Sequence, residues 1–599
     1  MARHQGPSNA HASEDCPTIC NFPATHHRSP QTCSSVRDGE AVVSAIRRGD
    51  SQTVRELIAS APHSLTKENG EGWTPLHEAA RSGQADCVEA LLRAHGASPV
   101  DKRTLLEQTA LLLAVEGEHA SCAKSLLDAG ADPDISNRSK ATPLYKGRPR
   151  HCAVNKKTHI VQPTRTACEN ESAEMVRLLL SYGASVNQRC DRGWTALHEA
   201  VWRNKAELCE MLLKSGALLN LPNSRGITPT MLAAQQGRLR ALTFLITSGA
   251  DVNLHSCEGA TALSEASRNG HKETVELLLS RGADANKPTS TGLLPLHIAA
   301  QHGHKEVVTL LLPVTSRARV QQSGITPLHL AAEHNRDEVV GHLIEAGVDV
   351  NARLSHGRSS LYHDCRATAL YSSVTNGNAD MAAALLRAGA DPNLDPFSPL
   401  LVAVRQGSVR MAAMLVEGGA SVNAGVPARP SGFPGVVMFC TQHLHLLRYL
   451  LEAGCDAQAC FACGCGSRPR LADARSRQEA TTPVPARPLQ TSCTESSALR
   501  LQFCEWISAA PARDRAGPLI SLLLDYVGGV PLCSRLTELL GSRQEWAAVK
   551  EKALSPRPLM HLCRQRIRQQ VGVRRLGSLN TLPLPHRLHQ YLCSSQTEP

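Results

Sequence analysis

Cysteine and histidine are the residue types in this chain best suited to chemistry, and their spacing decides what they do. Cys460, Cys463 and Cys465 spell C-x-x-C-x-C, half of a zinc site, with His443 and His445 a little upstream. No second C-x-x-C or H-x3-H follows at finger spacing, so the expectation is no bound metal and no cofactor. The 21 cysteines are otherwise scattered. Many, such as Cys87, Cys122 and Cys209, occupy apolar helix positions, where they read as small buried hydrophobes in a reducing compartment. His77, His198, His297 and His329 share one position of a recurring motif, a repeat or more apart. That placement points to hydrogen bonds with turn backbone, not to a shared site. No nucleophile, base and orienter occur together, so the chain is expected to be non-catalytic.

Binding chemistry is written more clearly near the end of the sequence. Leu559, Cys563 and Ile567 recur every four residues and form one apolar stripe on a helix that Pro556 and Pro558 would start. Arg564, Arg566 and Arg568 lie off that stripe. So short an amphipathic helix cannot bury its stripe alone and needs a partner groove. Further on, Leu579, Leu582, Pro583, Leu584 and Pro585 make a rigid turn before a second amphipathic run through Leu588, Tyr591 and Leu592. Leu-x3-Cys-x3-Ile followed by Leu-Pro-Leu-Pro resembles the SOCS box. The resemblance implies that Leu559, Cys563 and Ile567 bind Elongin C, and that Leu582, Pro583, Leu584 and Pro585 select a cullin of the fifth type.

The elements upstream repeat. Thr74-Pro75-Leu76-His77 and Thr326-Pro327-Leu328-His329, with variants at Thr142, Thr195, Thr228 and Thr261, start the units; Gly130-Ala131-Asp132, Gly249-Ala250-Asp251, Gly282-Ala283-Asp284 and Gly389-Ala390-Asp391 end them. Thr195, Thr228, Thr261 and Leu294 fall 33 residues apart, the ankyrin period. Thr-Pro caps and starts an inner helix, small residues let helices approach, Leu fills the seam, and Gly stops the outer helix. The expected fold is all-α: an ankyrin-repeat solenoid of about twelve repeats with β-hairpin fingers, followed by a small helical SOCS box.

Two breaks interrupt the period. Thr142 and Thr195 are 53 residues apart, and removing the basic, unpatterned block Gly147–Thr166 restores a gapless repeat. That block falls inside an inner helix, where insertion is costly, so a retained non-coding segment or an alternative isoform is the preferred reading. Thr326 and Thr368 are 42 residues apart, and a longer finger around Arg353–Arg366 absorbs the excess.

The organisation that follows is a disordered tail over 1–37, the array over 38–458 with a non-repeat block at 147–166, a Cys/Pro/Arg-rich linker over 459–498, a helical connector over 499–554, the box over 555–592 and a short tail over 593–599. Aromatics are only 3% of residues, as suits helices packed through Leu and Ala. The net charge of +10 is concentrated late, with fourteen Lys and Arg against seven Asp and Glu from residue 500 onward. Few aromatics interleave with these cations, so nucleic acid is not the expected partner; a solvated face or an acidic partner protein is. No leader-like apolar segment and no run approaching 18 apolar residues is present, which leads to a cytoplasmic, or also nuclear, protein without membrane insertion.

Repeats followed by this box resemble the ankyrin repeat and SOCS box family over about residues 38–592. Leu311–Val320 and Ala516–Leu536, both outside the repeat consensus, narrow the resemblance to one member. The resemblance implies a substrate-recognition subunit that joins a protein client to Elongin B, Elongin C, a cullin of the fifth type and its RING-box protein. Client contacts are expected from finger tips and exposed inner-helix positions: Trp73, Trp194, Trp202, Arg203, Gln235, Arg268, His302 and His334. A non-catalytic ankyrin scaffold without ligase function is the alternative, and a metal-dependent protein organised on Cys460–Cys465 is a further one.

Overall fold

The computed structural model describes residues 31–60, 66–94, 99–146, 168–362, 366–427, 430–463, 500–527 and 530–555. Helices follow one another in antiparallel pairs, as the punctuation requires. In the Thr228 unit, the Thr228 hydroxyl accepts the Met231 N–H at 3.3 Å, and Pro229 occupies the first turn, where its missing donor costs nothing. Ala233 and Ala234 are fully buried on the inner helix Pro229–Gln235, and Leu242 and Leu245 on the outer helix Leu239–Thr247. Inner helices pack on inner helices and outer on outer, so each repeat buries its faces only against its neighbours.

An asparagine at the end of several repeats joins each to the next. Asn253 Nδ2 donates to the Gly282 carbonyl at 3.0 Å, and its Oδ1 accepts the Asp284 N–H at 2.9 Å. Asn351, Asn393 and Asn423 make the same two bonds to Gly389 and Asp391, Gly419 and Ser421, Gly454 and Asp456. One side chain thus satisfies a carbonyl at the helix end, where the glycine is left-handed (φ +80° at Gly282), and an amide of the next turn.

Among the described residues the fingers show one antiparallel bridge, between His255 and Thr261, in place of regular strands. They are hydrogen-bonded turns linked by single backbone bonds: Asn223 Oδ1 holds the N–H groups of Arg225 and Ile227, and Cys257 N–H then donates to Arg225 O at 3.1 Å. Gly226, at φ +76°, has no room for a side chain because the next finger's backbone lies against it.

The molecule comprises two compact units, Met1–Ala200 with Glu207–Leu218, and Val201–Ala206 with Leu219–Pro599. In the first, the helix Gln31–Arg48 begins inside the stretch expected to be an unstructured tail. Pro143–Lys146 and Cys168–Ser181 flank the anomalous block; Gly147–Thr166 itself lies outside the described residues.

In the second unit the long finger carries a short helix, His356–Ser359. From it Arg358 reaches back to the carbonyls of Ser323 (3.2 Å) and Thr291 (2.5 Å), spanning two earlier fingers. Beyond the last repeat, Phe433, Phe461, Phe503 and Trp506 form an aromatic cluster with ring centroids 5.4–6.1 Å apart. It fastens the connector helix Phe503–Ile507 to the end of the array, and the helices Ala516–Leu524, Ser534–Gly541 and Ala547–Leu554 follow. No described helix is long and apolar enough to cross a membrane.

Candidate functional site

The motif histidines are structural. His297 is fully buried; its Nδ1 accepts the Leu294 N–H at 3.2 Å and its Nε2 meets the Ile325 carbonyl at 2.8 Å. His77 and His329 repeat the pattern with Thr74 and Lys102, and with Thr326 and Ala367, and His198 takes the Thr195 N–H at 3.2 Å. Each ring closes a capping bond on its own helix, and three of them are described reaching a carbonyl of the next finger. Burial pushes the base strength of His77, His297 and His329 down, His297 to about 4, so these rings are neutral at pH 7. A second histidine set, unforeseen from the motifs, sits at outer-helix starts: His271 and His304 lie over Gly237 and Gly270 and bond to the carbonyls of Gln235 and Arg268.

The client-binding candidates divide between places. In the second unit, Arg268, Gln301 and His302 line a cleft of about 270 Å³ with Glu258, Thr289 and Thr291 from two fingers. Arg268 Nε is buried there without a hydrogen-bond partner, and its guanidinium lies 3.9 Å from Glu265. Burial raises the Glu265 carboxyl above its ordinary value, Arg268 works against that, and Gln235 hydrogen-bonds to it. His334 joins through Gln301, at 3.3 Å. Gln235 and Arg268 hold one helix-end position and His302 and His334 the next, so the four fall at the ends of successive inner helices. Glu258, Thr289 and Thr291 line the same cleft and were missed, because finger residues carry no periodic signal; Gln301, on the inner helix one period after Arg268, was missed as well.

Trp73 and Trp194 belong to the first unit. Trp73 is only 8% exposed, covered by the Arg81 guanidinium at 5.1 Å, and Trp194 tilts against His198 at 5.8 Å. Both fill the junction between a finger and its inner helix, which leaves Trp73 little area to offer a partner. Trp202 is 39% exposed at the end of Ala196–Trp202, with Arg203 half-buried beside it.

Two cysteines of the C-x-x-C-x-C motif, Cys460 and Cys463, are described. Cys460 is buried in the end of the array, where its thiol is pushed well up by burial and then by Cys455. His443 lies against Gly407 instead. Cys463 instead stands with Cys504 and Cys533, their sulfur atoms all within 4.8 Å of one another. Cys465 lies outside the described residues, as do Leu559, Cys563, Ile567, Leu582, Pro583, Leu584 and Pro585.

Comparison with known proteins extends over both parts. A model of three ankyrin repeats matches residues 19–103, 42–137, 150–223, 217–289 and 281–353, a single ankyrin repeat matches 365–395, and the SOCS box matches 555–593. The chain is 52% identical over 559 residues to Ankyrin repeat and SOCS box protein 2 of Rattus norvegicus, covering 93% of this chain and 83% of that protein. It is 51% identical over 567 residues to the protein of that name from Homo sapiens, covering 94% and 84%. Ankyrin repeat and SOCS box protein 14 of Mus musculus is 34% identical over 289 residues, 47% of this chain and 46% of that protein. With a helical repeat array, a matched box behind it and relatives alike over nearly its whole length, the chain belongs to the ankyrin repeat and SOCS box family.

Proposed function

We propose that the chain is the substrate-recognition subunit of an Elongin B/C–cullin–RING ubiquitin ligase, leading its clients to ubiquitination and proteasomal degradation. The SOCS box match over 555–593, placed after an ankyrin array, carries this reading. The array, of about twelve repeats with hairpin-like fingers, would hold a client protein along the helix ends from Gln235 to His334, with Trp202 and Arg203 as further contacts. The box would dock Elongin C through Leu559, Cys563 and Ile567, and a cullin of the fifth type with its RING-box protein through Leu582, Pro583, Leu584 and Pro585. No residue of this chain needs to act on ubiquitin. Holding a client lysine near a ubiquitin thioester replaces a diffusional encounter by a local one, and proximity of that kind is worth several kcal/mol of the barrier.

The test separates docking from cullin recruitment. Replacing Leu582, Pro583, Leu584 and Pro585 with alanines should leave Elongin B and C bound in a pull-down while cullin recovery and client ubiquitination fall together. The two prolines leave the turn little entropy to lose on docking, so their removal weakens the cullin contact selectively. Cullin recovery that survives the replacement would place the contact elsewhere. Absence of Elongin B and C from the parent chain would leave a non-catalytic scaffold as the reading.

A further inference from the structure

Three thiols meet where the chain leaves the repeat array. Cys463 follows the short helix Gln458–Cys460, Cys504 lies on Phe503–Ile507, and Cys533 is the residue before Ser534–Gly541. Their sulfur atoms all lie within 4.8 Å of one another. Each arrives on a separately anchored element. Phe461 and Phe503, beside Cys463 and Cys504, pack together in the aromatic cluster at 6.1 Å. Arg535, just past Cys533, pairs at 3.5 Å with Glu505, which follows Cys504. Cys504 is buried and the other two are half-buried, so the cluster has one side toward solvent.

Thiols are weak hydrogen-bonding groups, and mutual S–H contacts give little reason for three to converge from three elements. A thiophilic cation gives one. With a metal–sulfur distance of about 2.3 Å and tetrahedral angles, zinc holds its sulfurs about 3.8 Å apart. A closure of about 1 Å or less would convert the observed cluster into three corners of that tetrahedron. The donor set is all sulfur, which disfavours calcium and magnesium. Cys533 sits at the start of the following helix, where the Leu536 N–H donates to its sulfur.

We propose that Cys463, Cys504 and Cys533 form a zinc site, with three thiolate ligands and the fourth position open to water or another small ligand. Binding would exchange the thiol protons for the cation and tie the end of the array to the helices that precede residues 555–593. Because the ligands come from distant parts of the chain, metal binding is coupled to the packing of that junction.

The full-length chain, purified with a thiol reductant and without chelator, should hold about one zinc per chain by mass-spectrometric elemental analysis. After removal of zinc, Co²⁺ alone should give intense d–d absorption and a thiolate-to-cobalt charge-transfer band. Cys463→Ser, in a half-exposed position that should keep the fold, should weaken metal binding at least about tenfold and reduce that band. The exposed Cys257→Ser should do neither. A chain with intact helical circular dichroism but no cobalt–thiolate band would overturn the proposal. So would zinc content unchanged in a folded Cys463→Ser, Cys504→Ser, Cys533→Ser variant, copper as the bound metal, or a disulfide between two of the three in metal-exposed material.

Discussion

His297 supplies the most quantitative prediction. Its neutral ring takes one bond and gives one: Nδ1 accepts from Leu294, and Nε2–H donates to the Ile325 carbonyl. A second proton would have to sit on Nδ1, pointing at another N–H, on a ring with no exposed surface. Burial, then the nearby Arg358 and His329, hold its pKa at about 4, while the Ile325 carbonyl works in the other direction. In the unfolded chain the ring titrates near its ordinary value of about 6.5. The base is thus depressed on folding, and between those values the unfolded chain binds more protons. Stability from this ring is complete above about pH 6.5 and is lost as the pH falls toward about 4. At pH 5 the linkage amounts to about 2 kcal/mol, rising to about 3 kcal/mol below pH 4.

Repeat arrays do not always unfold in one step, so the measurement should be local. Hydrogen–deuterium exchange of the peptide covering Pro295–His302, corrected for the intrinsic pH dependence of exchange, gives the opening free energy of that helix. From pH 7.5 to pH 5 the parent should lose about 2 kcal/mol or more, since His329 next to it is shifted the same way. His297→Gln, which keeps a neutral acceptor and donor, should cost about 1 kcal/mol at pH 7.5 and lose about 2 kcal/mol less than the parent on acidification. An equal loss in parent and variant would show that the ring does not carry the acid sensitivity.

Other expectations follow from particular residues. Leu559→Ala with Cys563→Ala should weaken Elongin C binding at least about tenfold, because burying a leucine is worth about 1.5–3 kcal/mol; unchanged co-purification of Elongin B and C would reject the stripe as the docking face. Deleting Gly147–Thr166 should leave the melting temperature equal or higher, and a clearly lower one would show that the block belongs to the fold. Leu278→Ala, at a fully buried seam, should cost about 2–5 kcal/mol in a urea titration. Arg268→Ala with His302→Ala should reduce client capture by the array in proximity labelling while melting stays within about 2 °C of the parent, since both side chains serve a cleft and not the seam.

What was legible in the sequence is what local physics decides. Thr228-Pro229 had to start a helix, Ala233 and Ala234 had to face a close neighbour, and Asn253 had to answer a helix end, so the repeats could be read one at a time. Gln235 and Arg268 share one helix-end position, and His302 and His334 share the next. The motif histidines were legible as structural because all four hold one register position. The fingers are less regular than the period of the helices: finger amides are satisfied by asparagine side chains and single bonds to the next finger, as at Asn223 and Cys257, with an antiparallel bridge between His255 and Thr261. What escaped was set by contacts between distant parts of the chain. Nothing in the spacing of Cys463, Cys504 and Cys533 marks them as neighbours. Arg358 likewise bonds across two fingers, a contact that no window of adjacent residues contains. In a repeat protein these departures from period are where individuality lies: the seams must stay alike for repeats to stack, so client choice and any metal at the junction fall to residues the period leaves unconstrained.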